Sequence, residues 1–170
     1  MVRPRQGSFK PKFIADAMCG RVCRWLRMLG YDCIYPGDLS DEKLLEVAVK
    51  EGDRILITCD KELYRKALSR GLKAFLASHS PVEENLAKLS VAYGVKLEIN
   101  PDDSRCPICN SKLRKAEKEE VKNLVPHGVL DRYSEFWVCV NCGNVYWKGS
   151  HYETMERILE NAKRIRNSLL

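Results

Sequence analysis

Residues 54–60 read RILITCD, and residues 61–68 follow at once as KELYRKAL. The run from Ile55 to Ile57 is apolar without alternation, and Thr58 adds a further β-branched side chain. That pattern marks a strand buried on both faces, as in a parallel sheet covered by helices. Leu63, Tyr64, Ala67 and Leu68 then recur at helical spacing, so the chain passes from strand to helix across Asp60.

The same unit repeats on either side. Upstream, KFIAD (12–16) is a strand ending at Asp16, and MCGRVCRWLRMLG (18–30) is a helix closed by Gly30, with Val22, Trp25, Leu26 and Leu29 on its apolar side. YDCIY (31–35) is a second strand, PGDLS (36–40) a loop, and Ser40 the N-cap of a helix opening at Asp41. Downstream come a strand at LKAFLA (72–77), a helix from about 81 to 93, and a further edge strand at VKLEI (95–99). The expected fold is α/β, a mostly parallel sheet flanked by helices.

NPDDS (100–104) is turn-rich and sets the boundary. The expected organisation is a flexible basic arm over residues 1–11, an α/β domain over 12–100, a small four-cysteine ribbon over 101–150 and an amphipathic C-terminal helix over 151–170. That helix carries Met155, Ile158, Leu159, Ala162, Ile165 and Leu169 on its apolar side.

Charge decides less. The 29 Lys and Arg against 23 Asp and Glu leave +6, which permits a polyanionic partner without demanding one. The dense mixture of both signs equally fits a thermophile's surface. No apolar run reaches the length of a membrane span, and the N-terminus lacks the apolar core of a signal peptide, so the expectation is a cytoplasmic chain with no membrane partner.

The eight cysteines divide in two. Cys106 and Cys109, then Cys139 and Cys142, form two C-x-x-C pairs separated by 29 residues. Asn110 and Gly143 follow as turn-forming residues, so each pair reads as a tight knuckle. Two knuckles supply the four-sulfur tetrahedral shell that zinc prefers and leave no open coordination position, which makes the zinc structural. Cys19, Cys23, Cys33 and Cys59 lack such pairing and read as small buried hydrophobes, with a bridge such as Cys33 to Cys59 as the alternative. Six aromatics, Tyr133, Phe136, Trp137, Tyr146, Trp147 and Tyr152, cluster around the second knuckle. They read as the ribbon's core and its seam with the α/β domain before they read as a base-stacking surface.

In a parallel sheet, ligands collect outside the carboxyl ends of the strands. Asp16, Asp38, Asp41 and Asp60 all fall on that edge. Asp41 has a structural reading as a helix first-turn acid and Asp60 as an N-cap, but several carboxylates at one edge repel unless they are protonated or a divalent cation such as Mg²⁺ or Mn²⁺ bridges them. Thr58, two residues before Asp60, is placed to orient either a carboxylate or a bound water. Arg21, Arg24 and Arg27 recur every three residues on the helix after Asp16, either as a grip on backbone phosphates or as a solvated helix face.

FIADAMCGRVCRWLRMLGYD (13–32), SDEKLLEVAVKEGDRILITCDKEL (40–63), CPICN (106–110) and CVNCGNVYWKGSHYETM (139–155) together closely resemble the Mut-seven C-terminal RNase domain family. The resemblance implies a PIN-like nuclease fold with a C-terminal zinc ribbon, and metal-dependent cleavage of RNA. On that pattern the catalytic acids match Asp16, Asp41 and Asp60, with Asp38 and Glu62 as further ligands or supporting groups. The family commonly reads T-R-D where this chain has Thr58-Cys59-Asp60, which removes one phosphate contact.

Two function classes follow. One is a Mg²⁺- or Mn²⁺-dependent ribonuclease acting on single-stranded RNA, with Arg21, Arg24 and Arg27 positioning the strand. The other is a non-catalytic RNA-binding or adaptor module with a vestigial acidic site. A nucleotide-binding α/β protein is disfavoured because no G-x-G-x-x-G or G-x-x-x-x-G-K-[ST] loop follows any strand.

Overall fold

The computed structural model describes residues 9–170. Of the expected arm over 1–11, residues 1–8 lie outside the described residues, while Lys10 ion-pairs with Asp103. Strands β1 (Lys12–Ala15), β2 (Cys33–Ile34), β3 (Arg54–Thr58) and β4 (Ala74–Leu76) alternate with helices α1 (Gly20–Met28), α2 (Asp41–Glu51), α3 (Lys61–Ser69) and α4 (Val82–Tyr93). The four strands form one parallel sheet in the order β2-β1-β3-β4. A three-stranded antiparallel ribbon follows, built from β5 (Leu113–Ala116), β6 (Phe136–Cys139) and β7 (Val145–Tyr146). Between β5 and β6 lie α5 (Lys118–Val121) and α6 (His127–Arg132), and α7 (Ser150–Leu169) ends the chain.

Strand alternation sorts the core into two layers. Phe13, Ala15, Ile55 and Ile57 face one side, with Val22 and Leu26 of α1, Leu86 and Leu89 of α4, and Leu159 and Ala162 of α7. Ile14 and Leu56 face the other, with Leu44 and Leu45 of α2 and Leu63 and Ala67 of α3. The last helix therefore folds back to complete the α/β core. Leu159 is only 3 % exposed there, a burial that contributes about 1.5–3 kcal/mol.

Several elements depart from the sequence reading. Residues 95–99 form no strand. The Lys96 N–H is taken by the Tyr31 hydroxyl at 2.8 Å, and the Ala74 carbonyl on β4 accepts from the Tyr93 hydroxyl at 3.0 Å, so side chains serve backbone groups that an added strand would have used. The helix expected over 18–30 opens as a 3-10 turn at Ala17–Cys19 before α1 begins. Gly30 closes it at φ +87°, where a Cβ would stand 2.8 Å from the Asp103 carbonyl oxygen. The final helix starts at Ser150 rather than 151–152, and Leu169, expected on the apolar side, is exposed. No described helix is long and apolar enough to cross a membrane.

Candidate functional site

The strand order reverses between β1 and β3: the chain leaves β1 toward β2 and returns to β3 on the opposite side. A crevice outside the carboxyl ends of those two strands is where ligands of open parallel sheets bind. Asp16 stands directly after β1, and Thr58 ends β3. Asp16 Oδ1 accepts from the Ala17 N–H at 2.6 Å, and Oδ2 accepts from the Thr58 hydroxyl at 2.9 Å. The same hydroxyl oxygen accepts from the Asp60 N–H at 3.0 Å. An N–H only donates, so the Thr58 proton is committed to Asp16. Thr58 is fully buried, and it ties the two acids into one unit.

Asp60 caps α3, its Oδ1 accepting from the Glu62 and Leu63 N–H groups at 2.6 and 3.1 Å. Among the described residues its Oδ2 accepts nothing, leaving that oxygen free to face solvent. Asp41 is the first residue of α2, behind the Ser40 cap, and is exposed. Asp38 lies exposed in the preceding loop, and Glu62 pairs with Lys66 at 3.1 Å. The acids share a sheet edge but not one tight cluster. Among the described residues, Cys106, Cys109, Cys139 and Cys142 are the one group of three or more ligand-type side chains whose donor atoms all lie within 4.8 Å of each other. Thr58 joins the Asp16 carboxylate to the Asp60 backbone, and a hard cation that keeps several waters needs only one or two carboxylates.

Of the arginine stripe, Arg21 and Arg24 are exposed. Arg27 is a correction: it is buried, 7 % exposed. Its Nε donates to the Cys33 carbonyl at 2.8 Å, and Nη1 to the Pro107 and Ile108 carbonyls at 2.9 and 3.1 Å. Its position on the inward flank of α1 makes it a strut, not a phosphate grip.

The four cysteines of the ribbon form two matching knuckles. Asn110 and Gly143 both take positive φ, 68° and 75°, and their N–H groups return to the carbonyls of Cys106 and Cys139 at 2.9 and 3.1 Å. Cys106 and Cys142 sulfurs stand 3.6 Å apart, and Cys109 and Cys139 sulfurs 3.3 Å. A tetrahedral ion with metal–sulfur bonds near 2.3 Å sets sulfur–sulfur edges of about 3.8 Å, so the cluster is sized for one metal ion such as zinc. Burial raises the Cys109 thiol, yet hydrogen bonds from Ser111 and Cys139 outweigh it and bring it to about 5. Burial pushes Cys139 up to about 11. Two sulfurs this close do not both ionise without a cation between them. Asn144 Nδ2 donates to Cys142 Sγ at 3.0 Å, and the Tyr146 hydroxyl meets Cys106 Sγ at 3.1 Å, so the sulfurs carry supporting polar contacts.

The family model of the Mut7-C RNAse domain matches residues 11–159, most of the chain. The chain belongs to that family. No curated protein and no solved structure matches it. Membership implies a nuclease-like role with RNA as substrate.

Within this Mut7-C chain the sequence reading missed the joint between ribbon and α/β domain. Asn110, at the end of the first knuckle, accepts from the Cys33 N–H at 3.2 Å and donates to Asp32 Oδ1 at 2.8 Å. Asp32 in turn holds buried Arg54 through both carboxylate oxygens, at 2.9 and 3.1 Å. The ribbon thereby supplies a side-chain partner to the edge strand β2. The one signal available was the polar Asn110 closing a knuckle, and its target lay 77 residues away.

The four unpaired cysteines are also placed differently from the bridge expected as an alternative. All are free. Cys59 faces Cys19, sulfur to sulfur at 3.6 Å, while the Cys33 carbonyl accepts from the Cys23 thiol at 3.5 Å.

Proposed function

We propose that the Mut7-C chain is a Mg²⁺- or Mn²⁺-dependent, PIN-like ribonuclease that hydrolyses phosphodiester bonds of single-stranded RNA at the carboxyl edge of its parallel sheet. The observation that carries this reading is the Thr58 bridge joining Asp16 to Asp60 at the strand-order reversal, in a chain of an RNase family.

Asp16 and Asp60 would hold the cation, with Asp41 reaching it from the start of α2. When bound, that ion supplies an activated water and offsets the charge of the scissile phosphate. The chain's own residues do the positioning. Thr58 and the Ala17 N–H fix the Asp16 carboxylate, and the start of α3 fixes that of Asp60, so neither needs to reorganise on binding. Exposed Arg21 and Arg24 would contact backbone phosphates. The ribbon's four thiolates would hold a structural zinc, with no open position for chemistry. The site's location in the cytoplasm is part of the same proposal.

The test is cleavage of end-labelled single-stranded RNA by zinc-loaded wild type and Asp16→Asn, with Mn²⁺, Mg²⁺ or neither. Metal-dependent cutting confined to the wild type supports the nuclease. Equal cutting by the mutant sinks it.

The second reading is a non-catalytic RNA-binding module. Its support is that Asp16, Asp41 and Asp60 do not form one close cluster. It calls for RNA binding that falls with salt and is indifferent to divalent ions and to Asp60→Asn.

A further inference from the structure

Cys59 occupies the place between the two residues, Thr58 and Asp60, that complete the acidic unit on β3. Cys19 ends the 3-10 turn that begins after Asp16, and its N–H donates to the Asp16 carbonyl at 2.8 Å. The two thiols thus belong one to each half of the acid pair, and they meet at 3.6 Å. Both line a cleft of about 190 Å³ shared with Met18, Arg21, Ser78 and His79. Cys19 is 2 % exposed, whereas Cys59 is half-buried and reachable from the cleft. Neither thiol has a part in the metal-binding role assigned to the acids, and neither belongs to the four-sulfur cluster.

We propose that Cys19 and Cys59 form a modification site, an oxidisable dithiol that closes to a disulfide on reaction with hydrogen peroxide and thereby disables the acidic site. The consequence for cleavage rests on the nuclease reading; the dithiol itself does not.

The chemistry runs in two steps. The accessible Cys59 sulfur attacks one peroxide oxygen; the O–O bond breaks, Cys59 becomes a sulfenic acid, and the other oxygen leaves as water after taking a proton. The Cys19 sulfur then attacks the Cys59 sulfur. The S–O bond breaks, the S–S bond forms, and the hydroxyl departs as a second water with the Cys19 proton. Two thiols lose two electrons and the peroxide gains them. A disulfide holds its sulfurs near 2.05 Å, so closure draws them together by about 1.5 Å. That movement pulls the Asp16 turn toward the end of β3, across a Thr58–Asp16 hydrogen bond that tolerates only a few tenths of an ångström.

The experiment treats zinc-loaded full-length protein with graded hydrogen peroxide, blocks remaining thiols, and maps the peptides without reduction. Released zinc is followed in parallel with a colorimetric chelator. The expected result is a Cys19–Cys59 linked peptide at peroxide doses that release no zinc, and a loss of metal-dependent RNA cleavage of at least tenfold that dithiothreitol reverses. Cys59→Ser and Cys19→Ser should each keep reduced-state cleavage within about twofold and resist the loss. Absence of the linked peptide overturns the site, whatever the cleavage assay reads. A linked peptide with unchanged cleavage, or a Cys59→Ser variant inactivated as readily as wild type, overturns its control of the acids. If reduced wild type does not cut RNA at all, the nuclease reading fails, and peptide mapping still decides the dithiol.

Discussion

The Thr58 hydroxyl donates to Asp16 Oδ2 at 2.9 Å across 42 residues of sequence. It has no freedom to do otherwise, because its oxygen is already the acceptor for the Asp60 N–H. The bond crosses from β3 to the end of the neighbouring strand β1, and it sets the orientation of a carboxylate that the two adjacent strands alone would leave rotatable.

Replacing Thr58 with Val keeps the shape and removes both bonds. The part-buried Asp60 N–H loses its acceptor, at a cost of about 1 kcal/mol. Metal-dependent cleavage should fall by about 10–100-fold, the scale on which supporting groups of metal ligands act. Cleavage kinetics alongside urea unfolding separate the two effects; full activity in a stable Thr58→Val protein would remove Thr58 from the site.

Arg24 and Arg27 sit one turn apart and should behave in opposite ways. Arg27→Met removes its bonds to three carbonyls, two of them in the first knuckle, and should cost about 2–4 kcal/mol in urea unfolding. Arg24→Ala should leave stability within about 0.5 kcal/mol. It should also weaken single-stranded RNA binding and lower the salt slope by about 0.7. Filter binding at several salt concentrations gives the second number.

Metal removal should reach beyond the ribbon. The first knuckle holds Cys33 through Asn110 and is held by Arg27, so stripping the metal with a strong chelator should unfold β5–β7 and also loosen β2 and the end of α1. Hydrogen exchange with mass spectrometry reads both regions. One metal equivalent per chain by elemental analysis is the accompanying expectation, and protection of residues 31–35 that ignores metal loss would contradict the coupling.

Asp32 makes part of the stability depend on acid. Burial raises its carboxyl, but the Arg54 guanidinium and the Asn110 amide outweigh burial and hold it below the usual carboxylate range. A carboxyl lower in the folded than in the unfolded chain adds stability that is complete above the unfolded value, near pH 4, and disappears as pH falls through the folded value. Unfolding midpoints taken from pH 6 down to pH 2 should therefore drop more steeply for wild type than for Asp32→Asn, which starts lower and changes less over that window.

Local signals in the sequence carried the strands, most helices and both knuckles. RILIT is apolar without alternation and became a strand buried on both faces; Ser40 and Asp60 became caps; Asn110 and Gly143 took the positive φ their turns require. These features depend on neighbours within a few residues. VKLEI shows the limit, for its composition favours a strand, yet the Tyr31 hydroxyl from a distant part of the chain claims its backbone.

What the sequence alone determined was the α/β alternation, the four-sulfur set and the sheet edge on which the acids fall, because periodicity, spacing and strand direction are properties of local chemistry. Tertiary structure alone decided that Arg27 turns inward, that Asn110 serves strand β2, that α7 completes the first core layer, and that Cys19 rather than Cys33 faces Cys59. Apart from the Arg27–Cys33 bond, which spans six positions, those contacts join residues 40 or more positions apart, and at such separations the partner is selected by how whole layers pack, not by any pattern a neighbouring residue can impose.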